Sequence, residues 1–168
     1  MIEVAIGLGS NLGDRESVLR RGLWSLGLTL AAASSLYESS PVETAITQPD
    51  YLNAVAVLLV PASMAPGELL RRMLGVEESL GRVRGPGKPP RTLDLDLLLF
   101  GERELDEPGL RLPHPGLVRR RFVLEPLLEV RPGAVLPDGR ALAQLRRASL
   151  SQEVRRASGR YWPWRIAG

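Results

Sequence analysis

The sequence predicts an α+β fold, and three observations carry that reading. Across residues 2–101, short apolar runs and segments of helical spacing follow one another in the order strand, helix, strand, strand, helix, strand. A chain of 168 residues fits one domain and is long enough to bury roughly two thirds of its unfolded surface. It holds no cysteine, which excludes disulfides and thiolate metal sites and leaves the fold to its apolar core. The element order is that of a ferredoxin-like βαββαβ core, with a mainly antiparallel sheet, helices packed on it, and C-terminal additions after residue 101.

Each element has its own signal. IEVAI at 2–6 is an apolar run ended by Gly7 and Gly9, and reads as a strand. Asp14 is placed to cap a helix whose apolar positions, Val18, Leu19, Leu23 and Leu26, keep helical spacing until Gly27. SSLYESSP at 34–41 is a weaker second strand. YLNAVAVLLV at 51–60 is too apolar to have a wet face and is expected at the centre of the sheet. Pro66 opens a second helix, with Leu69, Met73, Val76 and Leu80 on one face and Gly81 at its end. RTLDLDLLLFG at 91–101 is the last strand of the core. Right-handed crossovers make a hairpin of the second and third strands and set the third and fourth antiparallel to the first. GLGSN, YESSP, DYLN and RTLDLD therefore emerge on one edge of the sheet, and such a convergence is a candidate site.

The net charge of +3 hides an asymmetry: residues 1–139 carry 15 basic and 18 acidic side chains, residues 140–168 carry 7 and 1. Lys88 is the only lysine; every other cation is arginine, whose planar fork suits phosphate. His114, Asn11 and Asn53 are the only residues of their types, and each lies in or beside a segment that reads as a turn. The linker GRVRGPGKPPRT, 81–92, has three glycines, three prolines, four cations and no anion. It is either an ordinary solvated loop or one that orders around an anionic ligand. The N-terminus lacks a basic n-region, and no run of 18 apolar residues occurs. A soluble, cytoplasmic protein without membrane contact is expected.

The two aspartates of RTLDLDLLLFG need a reason. Two apart in a strand, Asp94 and Asp96 project to the same face about 6.6 Å apart, while Leu93, Leu95, Leu97 and Leu99 are expected on the other. Desolvating two like charges together raises their pKa unless a cation offsets them. Arginine pairing is one answer. Mg²⁺ is the other, since it takes one or two carboxylates plus waters and substrate phosphates. Beside a loop of arginines, the pair points to metal-assisted phosphoryl transfer.

Other motifs are less specific. GLGSNLGDR is an anion cradle or simple turn chemistry; it lacks the Walker A lysine, and the Asn11 amide suits the edge of a heterocycle. Glu77, just ahead of Arg82 and Arg84, is a site residue or an exposed helical carboxylate. His114, ahead of Arg119, Arg120 and Arg121, suits a phosphate or a structural role. Tyr51 and Phe122 suit stacking on a flat ligand or the core. No Ser/His/Asp or Cys/His arrangement stands out, which disfavours nucleophilic catalysis.

Taken together, GLGSNLGDR, SSLYESSPV, QPDYLN, EESLGRVR, PRTLDLDLLLFG and LPHP followed by RRRFVLEPLLEV resemble, in order and spacing, the 6-hydroxymethyl-7,8-dihydropterin pyrophosphokinases of folate biosynthesis. The resemblance covers roughly residues 4–132. It implies transfer of the β,γ-pyrophosphoryl unit of ATP to the pterin hydroxymethyl group, with release of AMP. It implies two Mg²⁺ ions held by Asp94 and Asp96, with Arg82 and Arg91 completing the catalytic set. Glu77, Arg84, Arg91, Leu97, His114 and Arg120 match positions around the nucleotide. Gly9 to Asn11, Ser39, Ser40, Pro41, Val42, Tyr51, Asn53 and Phe122 match the pterin pocket. The partners implied are ATP and hydroxymethyldihydropterin, with no nucleic acid, acting on a monomer.

The chain departs from the family pattern in its loop, where a tryptophan often precedes PRT and this sequence has GPGKPPRT with Lys88. Ser39 and Ser40 replace a more usual threonine and proline. The segment SQEVRRASGRYWPWRIAG lies beyond the resemblance and is expected to dock on the surface of a single domain spanning 1–168, as the end of a basic extension, 140–168. Two other classes fit parts of the sequence. A nucleic-acid-binding module shares the element order and an arginine-rich tail with aromatics, but YLNAVAVLLV offers no exposed aromatic pair to stack bases. A metal-dependent nucleotidyltransferase shares the aspartate pair but releases pyrophosphate.

Overall fold

In chain order the elements are β1 (Ile2–Ser10), α1 (Arg15–Ser25), β2 (Thr29–Ala33), β3 (Leu36–Ser39), β4 (Tyr51–Val60), α2 (Pro66–Ser79), β5 (Asp94–Phe100), β6 (Leu105–Glu107), β7 (Leu110–Leu112), α3 (Arg121–Val130), α4 (Leu142–Leu145) and β8 (Val154–Ala157). The computed structural model describes residues 1–41, 47–82, 90–146 and 152–164. The main sheet runs β5-β1-β4-β3-β8, and β2 pairs with β4 beyond the end of β3. Both β4 and β5 are antiparallel to β1, as the βαββαβ reading requires.

β1 runs past both glycines to Ser10. Gly7 pairs with Val55 and Asp96, and Gly9 with Asn53 and Asp94, so the glycines lie inside a doubly paired strand. A glycine there leaves room above the sheet for something to approach the backbone. The second strand is two strands. TLAAA, too alanine-rich to read as a strand, forms β2 along the outer half of β4, and β3 takes the inner half. The break falls at Ser34, which is buried, donates its N–H to Val55 O at 2.9 Å and takes the Val55 N–H on its Oγ at 2.9 Å.

The helices begin and end where the sequence places them. Asp14 caps α1 by accepting the Ser17 N–H at 3.1 Å, and Pro66 starts α2. Gly27 (φ 60) and Gly81 (φ 83) follow them in the left-handed region that favours glycine. α1 and α2 cover one face of the sheet, where Ile6, Leu19, Leu23, Leu69, Met73, Leu95, Leu97 and Phe100 are buried together. α3 covers the other over Ala5, Val55, Leu98, Leu117 and Leu124. β4 is buried on both faces, as its apolar sequence requires.

Leu99 corrects the expected alternation. Between Ala5 and Ile6 the β1–β5 register slips by one, so that Leu98 is an extra residue in β5. Leu98 and Leu99 turn to the α3 side, and Phe100, not Leu99, returns to the side of Leu95 and Leu97. A bulge reverses the parity of every residue beyond it. Asp94 and Asp96 lie before the bulge and keep their shared face.

The C-terminal segment does more than dock. β8 pairs with β3 from Leu36↔Ala157 to Ser39↔Val154. Beyond it Trp162 is 8% exposed and enters the main core, its Nε1 donating to Ser34 O at 2.8 Å. The Glu16 carboxylate accepts the N–H groups of Arg160, Tyr161 and Trp162, and Trp24 Nε1 donates to Pro163 O. Burial pushes the Glu16 pKa up, but these three donors and nearby Arg20 outweigh it and hold the carboxyl below its ordinary value.

Candidate functional site

The register alone brings the four motifs together. Gly9 lies between Asn53 and Asp94, Gly7 faces Asp96, and Ser39 faces Tyr51. A cavity opens over this edge, floored by Gly7, Gly9, Asn53 and Val55 and walled by Ser39, Ser40, Pro41, Tyr51, Phe122 and Val123. A Cβ on Gly9 would stand 3.5 Å from Asn53 Oδ1 and 3.7 Å from the Tyr51 ring, so a bare backbone keeps the floor open. Asn53 is buried; its Nδ2 donates to Ser39 Oγ at 2.9 Å and Tyr37 O at 3.2 Å, which fixes the amide's orientation.

A second hollow lies on the other side of the aspartates. It is lined by Leu70, Leu74 and Glu77 of α2, Leu95 and Leu97 of β5, Arg82, Leu110, Arg111 and His114. Arg91, Asp94, Asp96 and Arg120 line both hollows. The shared wall is therefore two carboxylates and two guanidinium groups, with a mainly uncharged chamber on one side and a cationic one on the other.

The carboxylates have different company. Asp94 is gripped by Arg91 and by Arg82 Nη1 at 2.7 Å. Among the described residues Asp96 has only longer contacts, His114 Nε2 at 3.7 Å and Arg120 Nη1 at 3.6 Å. Burial first, and then the charge of Asp94, raise the Asp96 pKa; His114, Arg120 and Arg91 pull against that rise without cancelling it. The same burial works against the charge on Arg91, but Asp94 outweighs it and holds the guanidinium protonated. His114 Nδ1 accepts the Gly116 N–H at 2.9 Å, which turns Nε2 toward Asp96. Arg120 folds directly over Gly116, where a Cβ would meet its Cζ and Nε at 2.9 Å.

Most of the expected site residues converge here: Gly9, Ser39, Ser40, Tyr51, Asn53 and Phe122 on the first chamber, and Glu77, Arg82, Leu97 and His114 on the second. Val42 and Arg84 lie outside the described residues. Asn11 departs from the expectation that it faces a ligand. It is 2% exposed and lines neither chamber; its Nδ2 donates to Gln48 Oε1 and Pro49 O, and its Oδ1 accepts the Arg91 N–H at 2.8 Å. Its amide is a clip that ties the Arg91 backbone to the end of β1. Glu77 is no exposed helical carboxylate: it is 1% exposed and its Oε1 accepts the Leu95 N–H at 2.7 Å and Arg82. Gly7, Gln48, Leu70, Leu74, Arg111 and Gly116 escaped the sequence reading. Leu70, Leu74 and Glu77 share one helical face, a spacing that could have exposed the first two.

A family profile described as "7,8-dihydro-6-hydroxymethylpterin-pyrophosphokinase (HPPK)" matches residues 5–132. The chain belongs to the HPPK family. A 2-amino-4-hydroxy-6-hydroxymethyldihydropteridine pyrophosphokinase of Pseudomonas aeruginosa is 41% identical over 160 residues, covering 93% of this chain and 97% of that protein. The protein of the same name from Bacillus subtilis is 40% identical over 129 residues, 74% of this chain and 75% of its own length. Among solved structures, an HPPK-DHPS chain of Plasmodium falciparum superposes with a TM-score of 0.70 over 89% of this chain at 14% identity. This chain spans only 46% of that longer one, and the likeness carries the HPPK fold alone.

Proposed function

We propose that this chain transfers the β,γ-pyrophosphoryl unit of ATP to the hydroxymethyl group of 6-hydroxymethyl-7,8-dihydropterin, giving AMP and the pterin diphosphate, a step of folate synthesis. One observation carries the reading: a chamber with aromatic walls and a cationic chamber meet at a wall made of Asp94, Asp96, Arg91 and Arg120. A flat heterocycle bordered by Tyr51 and Phe122, with its edge at Asn53 and the Ser39–Pro41 segment, brings a hydroxyl to that wall. A triphosphate beside Arg82, Arg111, His114 and Arg120 brings its β-phosphorus to the same wall from the other side. The hydroxyl oxygen attacks that phosphorus and gives up its proton to solvent as the bond to the α,β-bridging oxygen breaks, and AMP leaves.

The aspartates fit Mg²⁺. Their oxygens are hard donors on one face, at a wall where phosphates are expected, and their mutual repulsion is relieved by a dication. Among the described residues no cluster of three or more His, Cys, Asp or Glu offers a complete protein cage, so substrate oxygens and water would complete the coordination. When bound, the two ions would neutralise phosphate charge and align the reacting oxygens. Arg82 and Arg91, which grip Asp94 here, would then be available to phosphate oxygens. The residues of this chain do the remaining work by orienting two substrates and excluding water, with no general base required in contact with the hydroxyl.

On this reading the chain acts as one unit over 1–168, with the C-terminal segment as part of it. Among the described residues no helix is long and apolar enough to cross a membrane. The test is to supply Mg²⁺, ATP and the reduced pterin and identify the nucleotide product. AMP formed only with the pterin supports the reading; ADP, or free pyrophosphate as the product of a nucleotidyltransferase, contradicts it.

A further inference from the structure

We infer that Gln152, in the C-terminal segment, is a positioning residue that braces the turn carrying Arg120 and Phe122, and so holds the α3 wall of the aromatic chamber. The inference rests on the pyrophosphokinase reading of that chamber for its functional consequence.

α3 begins at Arg121, and its N-cap residue, Arg120, supplies no side-chain cap to the first turn. A helix start with no acceptor for its free N–H groups frays. Here the acceptor comes from far along the chain. Gln152 Oε1 accepts the Arg121 N–H at 2.9 Å, and Gln152 Nε2 donates to Arg119 O at 2.8 Å. The Arg121 side chain returns the contact, its Nη1 donating to Gln152 O at 3.1 Å. One amide therefore pins the residues on both sides of Arg120, and Gln152 itself lines neither chamber.

What it pins matters to both. Arg120 lines the two chambers, and its guanidinium carbon sits 6.0 Å from the centre of the Phe122 ring, which borders the first. Two residues beyond Gln152, β8 begins at Val154, paired with Ser39 on the opposite wall of the same chamber. The segment is then anchored by the three N–H groups that Glu16 accepts and by buried Trp162. One stretch of chain thus spans from the Arg120–Phe122 wall to the Ser39 wall and fixes the gap between them.

The experiment compares the full-length protein with Gln152→Ala and Gln152→Glu, the second keeping an acceptor for the Arg121 N–H. In Gln152→Ala, which removes both side-chain hydrogen bonds, the KM for the pterin is expected to rise about fivefold, with kcat within about twofold of the parent. Hydrogen exchange at Val123 and Leu124, whose amides bond Arg120 O, should quicken by a similar factor, and Gln152→Glu, which keeps the acceptor for Arg121 but sets a carboxylate oxygen against Arg119 O, should restore both readouts only in part. Unchanged pterin KM and unchanged exchange in Gln152→Ala overturn the inference. So does a lower melting temperature with faster exchange confined to residues 152–164, the signature of a purely local structural role. Should the parent protein form no pterin-dependent AMP, it is the functional reading that fails, and the exchange at Val123 and Leu124 still decides the brace.

Discussion

Replacing Glu77 by alanine removes a buried carboxylate that joins α2 to the start of β5. Its Oε1 accepts the Leu95 N–H at 2.7 Å and the Arg82 guanidinium, and Arg82 reaches on to Asp94 at 2.7 Å. Two losses follow. The Leu95 N–H is left in the interior without this acceptor, worth about 1–3 kcal/mol. Arg82, whose side chain is only 11% exposed, loses one of its two carboxylates; breaking a buried pair costs about 3–5 kcal/mol when no partner remains, and less here because Asp94 stays. A net destabilisation of about 3 kcal/mol follows, a large share of the roughly 5–15 kcal/mol that a domain commonly has. Glu77→Gln keeps an acceptor for Leu95 and should lose only about 1–2 kcal/mol. Urea unfolding at pH 7 with an unchanged m-value is the assay, and a double-mutant cycle with Arg82→Ala should return a coupling of about 1 kcal/mol or more. A Glu77→Ala variant within about 0.5 kcal/mol of the parent would refute the claim that this carboxylate supports the wall from below.

Gly22→Ala in α1 sets helix propensity against packing. A Cβ there meets Leu93 Cδ2 at 2.6 Å, and Leu93 is fully buried, so overpacking of about 1–3 kcal/mol should exceed the gain of about 1 kcal/mol in propensity. Net stabilisation in a thermal melt would count against it. Gly116→Ala should push Arg120 off its seat and lower kcat/KM by about tenfold with the melting temperature nearly unchanged; full activity would show that Arg120 needs no such seat. The acid limb of stability should depend on Glu16, Glu38 and Glu129, whose folded pKa values are all depressed. For Glu129, burial raises the value, but donors from Ser35 and Tyr37 and the charge of Arg156 outweigh it. A depressed folded pKa gives stability that is full above the ordinary value of 4.5 and is lost as pH falls through the lower folded value. Glu129→Gln should therefore flatten the loss of stability below about pH 4.5, and an acid limb identical to the parent's would contradict the sign.

The core of the fold was legible because its signals are local and agree with one another. Asp14, Pro66, Gly27 and Gly81 mark helix ends by their own backbone chemistry, and the apolar β4 announces a strand covered on both faces. Convergence of the four motifs follows from topology and needs no side-chain detail. What escaped depends on partners distant in sequence. β2 is a strand because β4 offers it an edge, and its alanines carry little preference of their own. The bulge at Leu98 arises from pairing with β1, and nothing in LDLLLF marks which leucine is extra. α3 contains Pro126, which propensity reads as a break, yet burial of Val123, Leu124 and Leu127 on one face overrides it. In the site, the amide chemistry of Asn11 suits a ligand edge as well as a structural tie, and the tie it makes to Gln48 and Arg91 is not legible because these partners come from loops whose meeting the sequence does not declare.

The account stands most directly on the aspartate pair, and turnover by Asp94→Ala and Asp96→Ala tests it. Each variant should keep the parent's far-ultraviolet circular dichroism and bind the pterin within a few-fold, yet form AMP at least about 100-fold more slowly at saturating Mg²⁺, ATP and pterin. Near-parental AMP formation by either folded variant would contradict the assignment of this wall as the place where the pyrophosphoryl group is transferred.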